Sequence, residues 1–576
     1  MPELSVWAPD AHAVSARLAS GNLPMRQVER GWWLAESEVL THGTDYQFIV
    51  DGRGPYPDPR SPWQPNGVHG ASRILDHPRF QWRTREFAPQ PFANAIIYEL
   101  HIGTFSHAGT FDGAIAHLPH LARLGVTHLE LLPVAQFPGS RGWGYDGVDL
   151  FAPHNAYGGP EALKSFIDSA HQHNLAVIID VVYNHLGPDG NYLSQFGPYF
   201  SDRRKTPWGD AVNIDGPHGE DVRRFFIDNA LMWLKDYRAD GLRLDAIHAI
   251  RDTAKKPFLR QLSDEVRSLS ESQGREFLLI AESVFHDPRV ASKDAAGYGF
   301  DAQWADDFHH SLHAVLTHES SGYYEDFGQM SQLADALISP FLRSERAPTP
   351  EREAGPSPED CAVVFLQNHD QVGNRARGER IGHLVSADRA KIGAALALLS
   401  PHVPMLFAGE EWGASTPFQY FTDHQDADLA SAVRKGRIAE FAAFGWNPDE
   451  IPDPQSAETF LHSKLDWKEL HHEPHASLLE WYIHLIELRK SRGALSGCRA
   501  PNARVEFDEE QEWLLLYRDE ALIACNLAPV PRLISVRLEH STTIALASKS
   551  GVEIVGPGSL LLPPETVAIL LGKSPQ

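Results

Sequence analysis

Residues 241–248 read GLRLDAIH, and the placement of that stretch decides the fold. Side chains of an extended chain alternate between two faces, so Arg243 and Asp245 share one side and Leu242 and Leu244 the other. The leucines are expected to pack outward against helices, leaving an arginine beside an acid at the end of a buried strand. Three further segments have the same form: DVVYNH (180–185), LIAES (279–283) and LQNHDQ (366–371). Asp180, Glu282 and Asp370 each lie at the end of a short run rich in Val, Ile, Leu or Phe, which reads as a buried strand. In a barrel of parallel strands the C-terminal strand ends form one face, so acids distant in sequence converge on one pocket.

Working outward, the pattern from about 90 to 490 alternates strand and helix. Strands are predicted at 95–100, 127–134, 175–182, 241–246, 276–283, 300–307, 362–370 and 403–411. Amphipathic helices such as GPEALKSFIDSAHQHN (159–174) and GEDVRRFFIDNALMWLKDY (219–237) lie between them. Eight strands with intervening helices is the count of a (β/α)₈ TIM barrel. Before it, short alternating segments (LSVWAP, WWLAESE, TDYQFIVDG) broken by Gly, Pro and Asn predict a β-sandwich. The stretch PYPDPRSPWQPNG (55–67) is too proline-rich for regular structure and reads as an ordered linker. FLRSERAPTPEREAGPSPED (341–360) is expected to be a mobile surface loop. After the helix-like EWYIHLIELRKS (480–491), RVEFD, EWLLLYRD, ALIACNLAP and TVAILLG predict a small terminal β-domain. The expected architecture is multidomain α/β: an N-terminal β-sandwich over 1–88, a catalytic barrel with insertions over 89–494, and a small β-domain over 495–576.

At 576 residues the chain is too long for one core, and hydrophobic and charged contents of 42% and 22% are those of ordinary globular proteins. A formal net charge of −25 argues against nucleic acid or an anionic membrane as partner. Cys361, Cys498 and Cys525 are too few for a disulfide framework and read as small buried hydrophobes. No basic-then-apolar leader opens the sequence, and no apolar run approaches the roughly 20 residues of a membrane helix. A cytoplasmic location is the expectation.

The chemistry follows from the acids. Arg243 holds Asp245 ionised, which suits a nucleophile, while burial of Glu282 raises its pKa and suits a proton donor. Retaining glycosidases divide labour this way between two carboxyls about 5–5.5 Å apart. Asp370, beside His369, adds a third acid able to grip sugar hydroxyls. Taken singly, an acid at a strand end is more simply a helix cap or half an ion pair; four such segments in order make that reading improbable.

Those four segments resemble the signature regions of the α-amylase superfamily, glycoside hydrolase family 13. The resemblance implies Asp245 as nucleophile, Glu282 as general acid/base and Asp370 as transition-state stabiliser. It further implies Arg243, His185 and His369 as substrate-pocket residues and Asp180 as their support. Tyr145, in GWGYDG (142–147) with Trp143, matches the family's sugar-stacking aromatic. More closely, YELHIGTF (98–105), LRLDAIHAI (242–250), QNHDQVGNRARGER (367–380) and FAGEEWGASTPFQYFTDH (407–424) are similar to the maltooligosyltrehalose trehalohydrolase family. That resemblance implies hydrolysis of the α-1,4 bond next to a terminal trehalose, on a neutral maltooligosyltrehalose substrate. It implies no cofactor, and a metabolic link to the synthase that makes the substrate. His248, Gln371, Glu379, Trp412 and Phe418 are expected on the leaving-group side, ordinary loop packing being the competing reading.

Two other readings stay open: a glycogen branching or isoamylase-type debranching enzyme, and a non-catalytic glucan-binding protein on a retained fold. The latter predicts loss of an acid, and none is lost. The histidine pairs 117/120 and 171/173 and the cluster 471/472/475 have no metal-site spacing and read as surface helical residues, and His309–His310 as pocket lining. No metal site is expected. Trp32 and Trp33 read as core residues of the first domain.

Overall fold

The computed structural model describes residues 3–572 apart from 207, 286, 295, 343–360, 444–445, 448–449, 499–500, 538–541 and 557. The proline-rich loop expected over 341–360 thus lies almost entirely outside the described residues.

At the centre is a closed barrel of eight parallel strands, each flanked by its neighbours in chain order. They are β1 (Ile97–Leu100), β2 (His128–Leu131), β3 (Ala176–Val181), β4 (Gly241–Leu244), β5 (Leu278–Ala281), β6 (Ala302–Trp304), β7 (Cys361–Phe365) and β8 (Val403–Phe407). The predicted TIM barrel is therefore present, with every strand in its expected segment except that β7 begins one residue earlier, at Cys361. The strands stop short of the acids: Asp245 and Glu282 directly follow β4 and β5, and Asp370 lies in a short helix, His369–Gly373. That helix replaces the strand end expected there, because Asn368 caps it by accepting a hydrogen bond from the Gln371 amide at 2.8 Å.

Alternation along the strands sorts the side chains. Ile97, Ile178, Ile280, Ala302, Val363 and Val403 form a core inside the barrel. Tyr98, Leu129, Val177, Leu242, Leu279 and Val364 point outward into the core shared with the surrounding helices. Burial of Leu242 and Leu244 contributes about 1.5–3 kcal/mol each. One step of two residues beyond the inner apolar layer come Glu99, Asp180, Arg243 and Glu282. The period that buries the leucines therefore raises a polar layer at the C-terminal mouth.

Helices Gly159–Gln172, Gly219–Lys235 and His475–Ser491 occupy predicted segments, the last beginning five residues earlier than its sequence signal. N-terminal strands form a three-stranded and a five-stranded antiparallel sheet. The linker after them inserts Arg60 between Trp32, Phe151 and Phe225, where it pairs with Asp228 at 2.8 Å. Trp33 is buried, its indole N–H donating to the Ala8 carbonyl at 3.1 Å, so its core role stands. A five-stranded and a three-stranded sheet close the chain. Buried Arg518 joins them to the barrel by donating to the Leu399, Ser400 and Leu495 carbonyls at 2.8–3.0 Å.

One expectation fails. Cys361, at the start of β7, and Cys498 are joined by a disulfide across 137 residues, with their Cα atoms 5.9 Å apart. Sequence spacing could not show it, since the pair meets only once the barrel closes and the last helix returns beneath it. Cys525 is free and buried, as expected. Among the described residues no helix is long and apolar enough to cross a membrane.

Candidate active site

Arg243 is the hub. From the inner face of β4 its Nη1 donates to Asp245 at 2.9 Å and to Asp180 at 2.8 Å, and its Nη2 lies 3.7 Å from Glu282. The guanidinium is stacked on Trp304 of β6, 4.2 Å from the ring centroid, so it cannot swing away. Asp245 and Glu282 thus flank one cation in one cleft. Asp245 is held further by Asn184, whose amide donates to its Oδ2 at 2.8 Å. Glu282 accepts from the Ala246 amide at 2.6 Å. Ala246 sits at φ 40°, a left-handed conformation that turns the chain sharply beneath both acids.

The surroundings of Glu282 shift its proton affinity. Burial pushes Glu282 up to about 8; Arg243 opposes this and the nearby Asp245 charge adds to it. Glu282 is therefore a protonated donor at neutral pH. Asp180, burial-raised to about 6 against the pull of Arg243, backs the pocket and accepts the Tyr145 hydroxyl at 2.7 Å.

On the other wall, His369 contacts the Tyr145 hydroxyl through Nε2 at 2.8 Å and lies parallel to its ring, centroids 5.3 Å apart. His185 approaches the Tyr145 carbonyl at 3.0 Å, and burial lowers its pKa. Trp143 is buried, edge-on to His369 and anchored by its indole N–H to the Gln419 carbonyl at 2.9 Å. It shapes the cleft from behind.

Asp370 faces a cavity of about 220 Å³ with Gln371, Asp306, His310, Glu319, Asn374 and Trp446. Its Oδ1 accepts from the Asn374 amide at 2.6 Å. Val284, two residues after Glu282, lines the same cavity. Gln371 is part of the wall of this cavity. His248 lies beside Asp245, edge-to-face on Phe285, with a buried Nδ1 that has no partner among the described residues. His310 lines the cavity, while His309 is buried behind it, donating from Nδ1 to the Leu366 carbonyl at 2.8 Å.

Two leaving-group assignments need correction. Trp412 has no exposed surface; it packs on Trp467 and donates to Glu469 at 3.3 Å, so it offers no face to a sugar. Phe418 is buried and stacks beneath Trp143 at 5.3 Å, so it supports a wall but meets no sugar. Glu379 accepts from the Arg377 amide at 3.2 Å and lies 3.7 Å from Arg375, which is itself part of the cavity wall. Position after a strand end shows that a loop is near the cleft, not which way its side chains face. Likewise His120 and His171 are buried, paired with Glu411 at 2.9 Å and Asp240 at 2.8 Å. Among the described residues no cluster fit for a metal ion occurs.

The sequence reading missed Glu99, Asn184, Asp306 and Trp208. Asp306, in WADD directly after β6, carried the same strand-end signal as the chosen acids. Burial and the Asp370 charge raise it to about 7. Trp208 had no signal: it tips an antiparallel hairpin, Phe200–Thr206 with Gly209–Val212, and stacks on His185 at 5.0 Å while about half exposed. Removing that ring in Trp208→Ala is expected to raise KM about 2- to 10-fold with kcat little changed, the worth of one aromatic contact. Steady-state kinetics on oligosaccharides of defined length would show it; an unchanged KM would remove Trp208 from the sugar path.

Comparison with known proteins agrees with this geometry. The family model described as "Alpha amylase, catalytic domain" matches residues 85–207 and 217–497. A malto-oligosyltrehalose trehalohydrolase from Arthrobacter ramosus is 45% identical over 577 residues, covering 97% of this chain and 98% of its own. A 1,4-alpha-glucan branching enzyme from Pseudoalteromonas atlantica is 35% identical over 272 residues, 42% of this chain and 37% of its own. A solved Salmonella typhimurium chain, described as a candidate alpha amylase, superposes with a TM-score of 0.87 at 36% identity, covering 99% of this chain and 97% of that one.

Proposed function

We propose, for a chain that belongs to the malto-oligosyltrehalose trehalohydrolase family within the α-amylase family, that it hydrolyses the α-1,4 bond next to a terminal trehalose and releases trehalose. Asp245 attacks the anomeric carbon while Glu282 protonates the glycosidic oxygen, and the trehalose unit departs. Glu282, now ionised, takes a proton from water, which displaces Asp245 and restores both carboxyls. Asp370 grips hydroxyls of the reacting sugar as its ring flattens. Asp180, Arg243, His185, His248, His369 and Tyr145 fix that sugar, and Gln371 faces the departing disaccharide. The substrate is a neutral oligosaccharide, supplied by the enzyme that builds a trehalose end on a maltooligosaccharide.

The observation carrying this reading is the sharing of Arg243 by Asp245 and Glu282 in one cleft, with burial raising Glu282 so that it can donate a proton. The branching-enzyme relative matches less than half of this chain, which favours hydrolysis over transfer. Incubation with maltooligosyltrehalose and separately with amylose tests it. Free trehalose from the first and no new branch points in the second are expected; branches without trehalose would overturn the proposal.

A further inference from the structure

His369 leans on a carboxylate that the reaction above does not use. Glu99, buried on the inner face of β1, accepts from the His369 amide at 2.9 Å and meets its Nδ1 at 2.5 Å. At the far side of the ring the hydrogens can be counted. The Tyr145 hydroxyl has one proton and two neighbours, Asp180 Oδ2 at 2.7 Å and His369 Nε2 at 2.8 Å. Asp180 Oδ2 already receives Arg243 at 2.8 Å and so acts as an acceptor. The tyrosine proton goes to Asp180, and the tyrosine oxygen must accept an N–H from Nε2. With Nδ1 donating to Glu99, both ring nitrogens carry protons.

We propose that Glu99 is a positioning residue for glycoside cleavage: it is the counter-ion that keeps His369 an imidazolium and so holds Tyr145 between His369 and Asp180. The inference rests on the hydrolytic reading of the same cleft. A glutamate is the stronger acid of the pair in water, so their shared proton belongs on the ring. Charges around His369 agree. Burial alone would lower its pKa, but Glu99 overrides it by charge and hydrogen bond, Asp370 adds to the rise, and Arg243 on β4 opposes it. His101, after β1, is itself kept neutral by burial, which takes it to about 3. Glu130, directly across from Glu99 on β2, is raised well above the carboxylate range, chiefly by burial and then by Glu99. Glu130 is thus a neutral neighbour, and Glu99 supplies the negative charge. Without that charge a buried imidazole would lose its proton, Nε2 would compete for the tyrosine hydrogen, and the stacked pair would come apart from Asp180.

The decisive substitution is Glu99→Gln, which keeps shape and an acceptor for the His369 amide but not the charge. The expected result is a fall in kcat/KM of about tenfold or more at pH 7. Activity should recover partly as pH drops, the alkaline limb having moved at least about one unit toward acid, the size of effect an adjacent charge produces. Glu99→Asp should return the limb to its original position at a reduced rate. A uniform loss at every pH, or no loss, would overturn the proposal, since a merely structural contact does not move a titration. Should Glu99→Gln not fold, ¹⁵N-histidine spectra of the unaltered protein decide instead, with the His369 signal identified by its disappearance in His369→Gln. Two protonated ring nitrogens through pH 7.5 are expected, and a neutral ring there sinks the idea. Those spectra do not depend on which sugar is cleaved, so a failure to release trehalose is separable from a failure of this inference.

Discussion

Asp245→Asn abolishes turnover, with kcat falling by about 10⁴-fold or more, as for removal of other enzyme nucleophiles. Asparagine fills the same space, but its amide cannot attack an anomeric carbon. It also disturbs the pocket little: Asn184 donates to both the Asp245 carbonyl and Oδ2 at 2.8 Å, and the carbonyl contact survives the change. Oligosaccharide binding should therefore persist, measurable by calorimetry on the inactive protein. Undiminished hydrolysis would remove Asp245 from the nucleophile role, and loss of binding together with turnover would point to collapse of the Arg243 cluster.

Glu282→Gln should lower kcat about 10²- to 10⁴-fold on natural oligosaccharides, the usual worth of a positioned proton donor. The loss should depend on the leaving group. Fluoride departs without protonation, so the first step on a maltosyl fluoride should keep most of its rate, seen as rapid fluoride release before the slowed second step. Equal loss on both substrates would deny Glu282 the acid role. Stability offers an independent check. The carboxyl lies near 4.5 when exposed and at about 8 in the fold, so the folded state binds its proton more tightly. That contribution to stability is fully present below about 4.5 and is lost as pH rises toward 8. Glutamine carries no such charge. Scanning calorimetry should give the variant and its parent the same Tm near pH 4 and the variant a higher Tm above pH 8.

The barrel was legible because period-two alternation and apolar runs are local properties of the chain, and eight of them recur between helical stretches. The acids were legible for the same reason, as polar residues that closely follow buried apolar runs. The loops were less so. Trp412 and Phe418 stand in the segment after β8 as plausibly as Gln371 stands after β7, yet both aromatics turn into the core and Gln371 into the cavity. Nothing local decides such an orientation. The neighbours that decide it, Trp467 and Trp143, come from distant parts of the chain. Glu99 shows the opposite failure: it was quoted within YELHIGTF, but a lone glutamate in a buried strand announces no partner 270 residues away.

By itself, then, the sequence determined the strand and helix alternation, the polar layer two residues above the apolar one, and the three acids at the barrel mouth. Backbone periodicity and burial are enough to dictate those. Tertiary structure alone decided which loop side chains turn into the core and which into the cavity, that Trp208 stacks on His185, and that Cys361 meets Cys498. Desolvation, charge proximity and contact depend on distances between residues far apart in the chain, and those distances exist only after the barrel has closed.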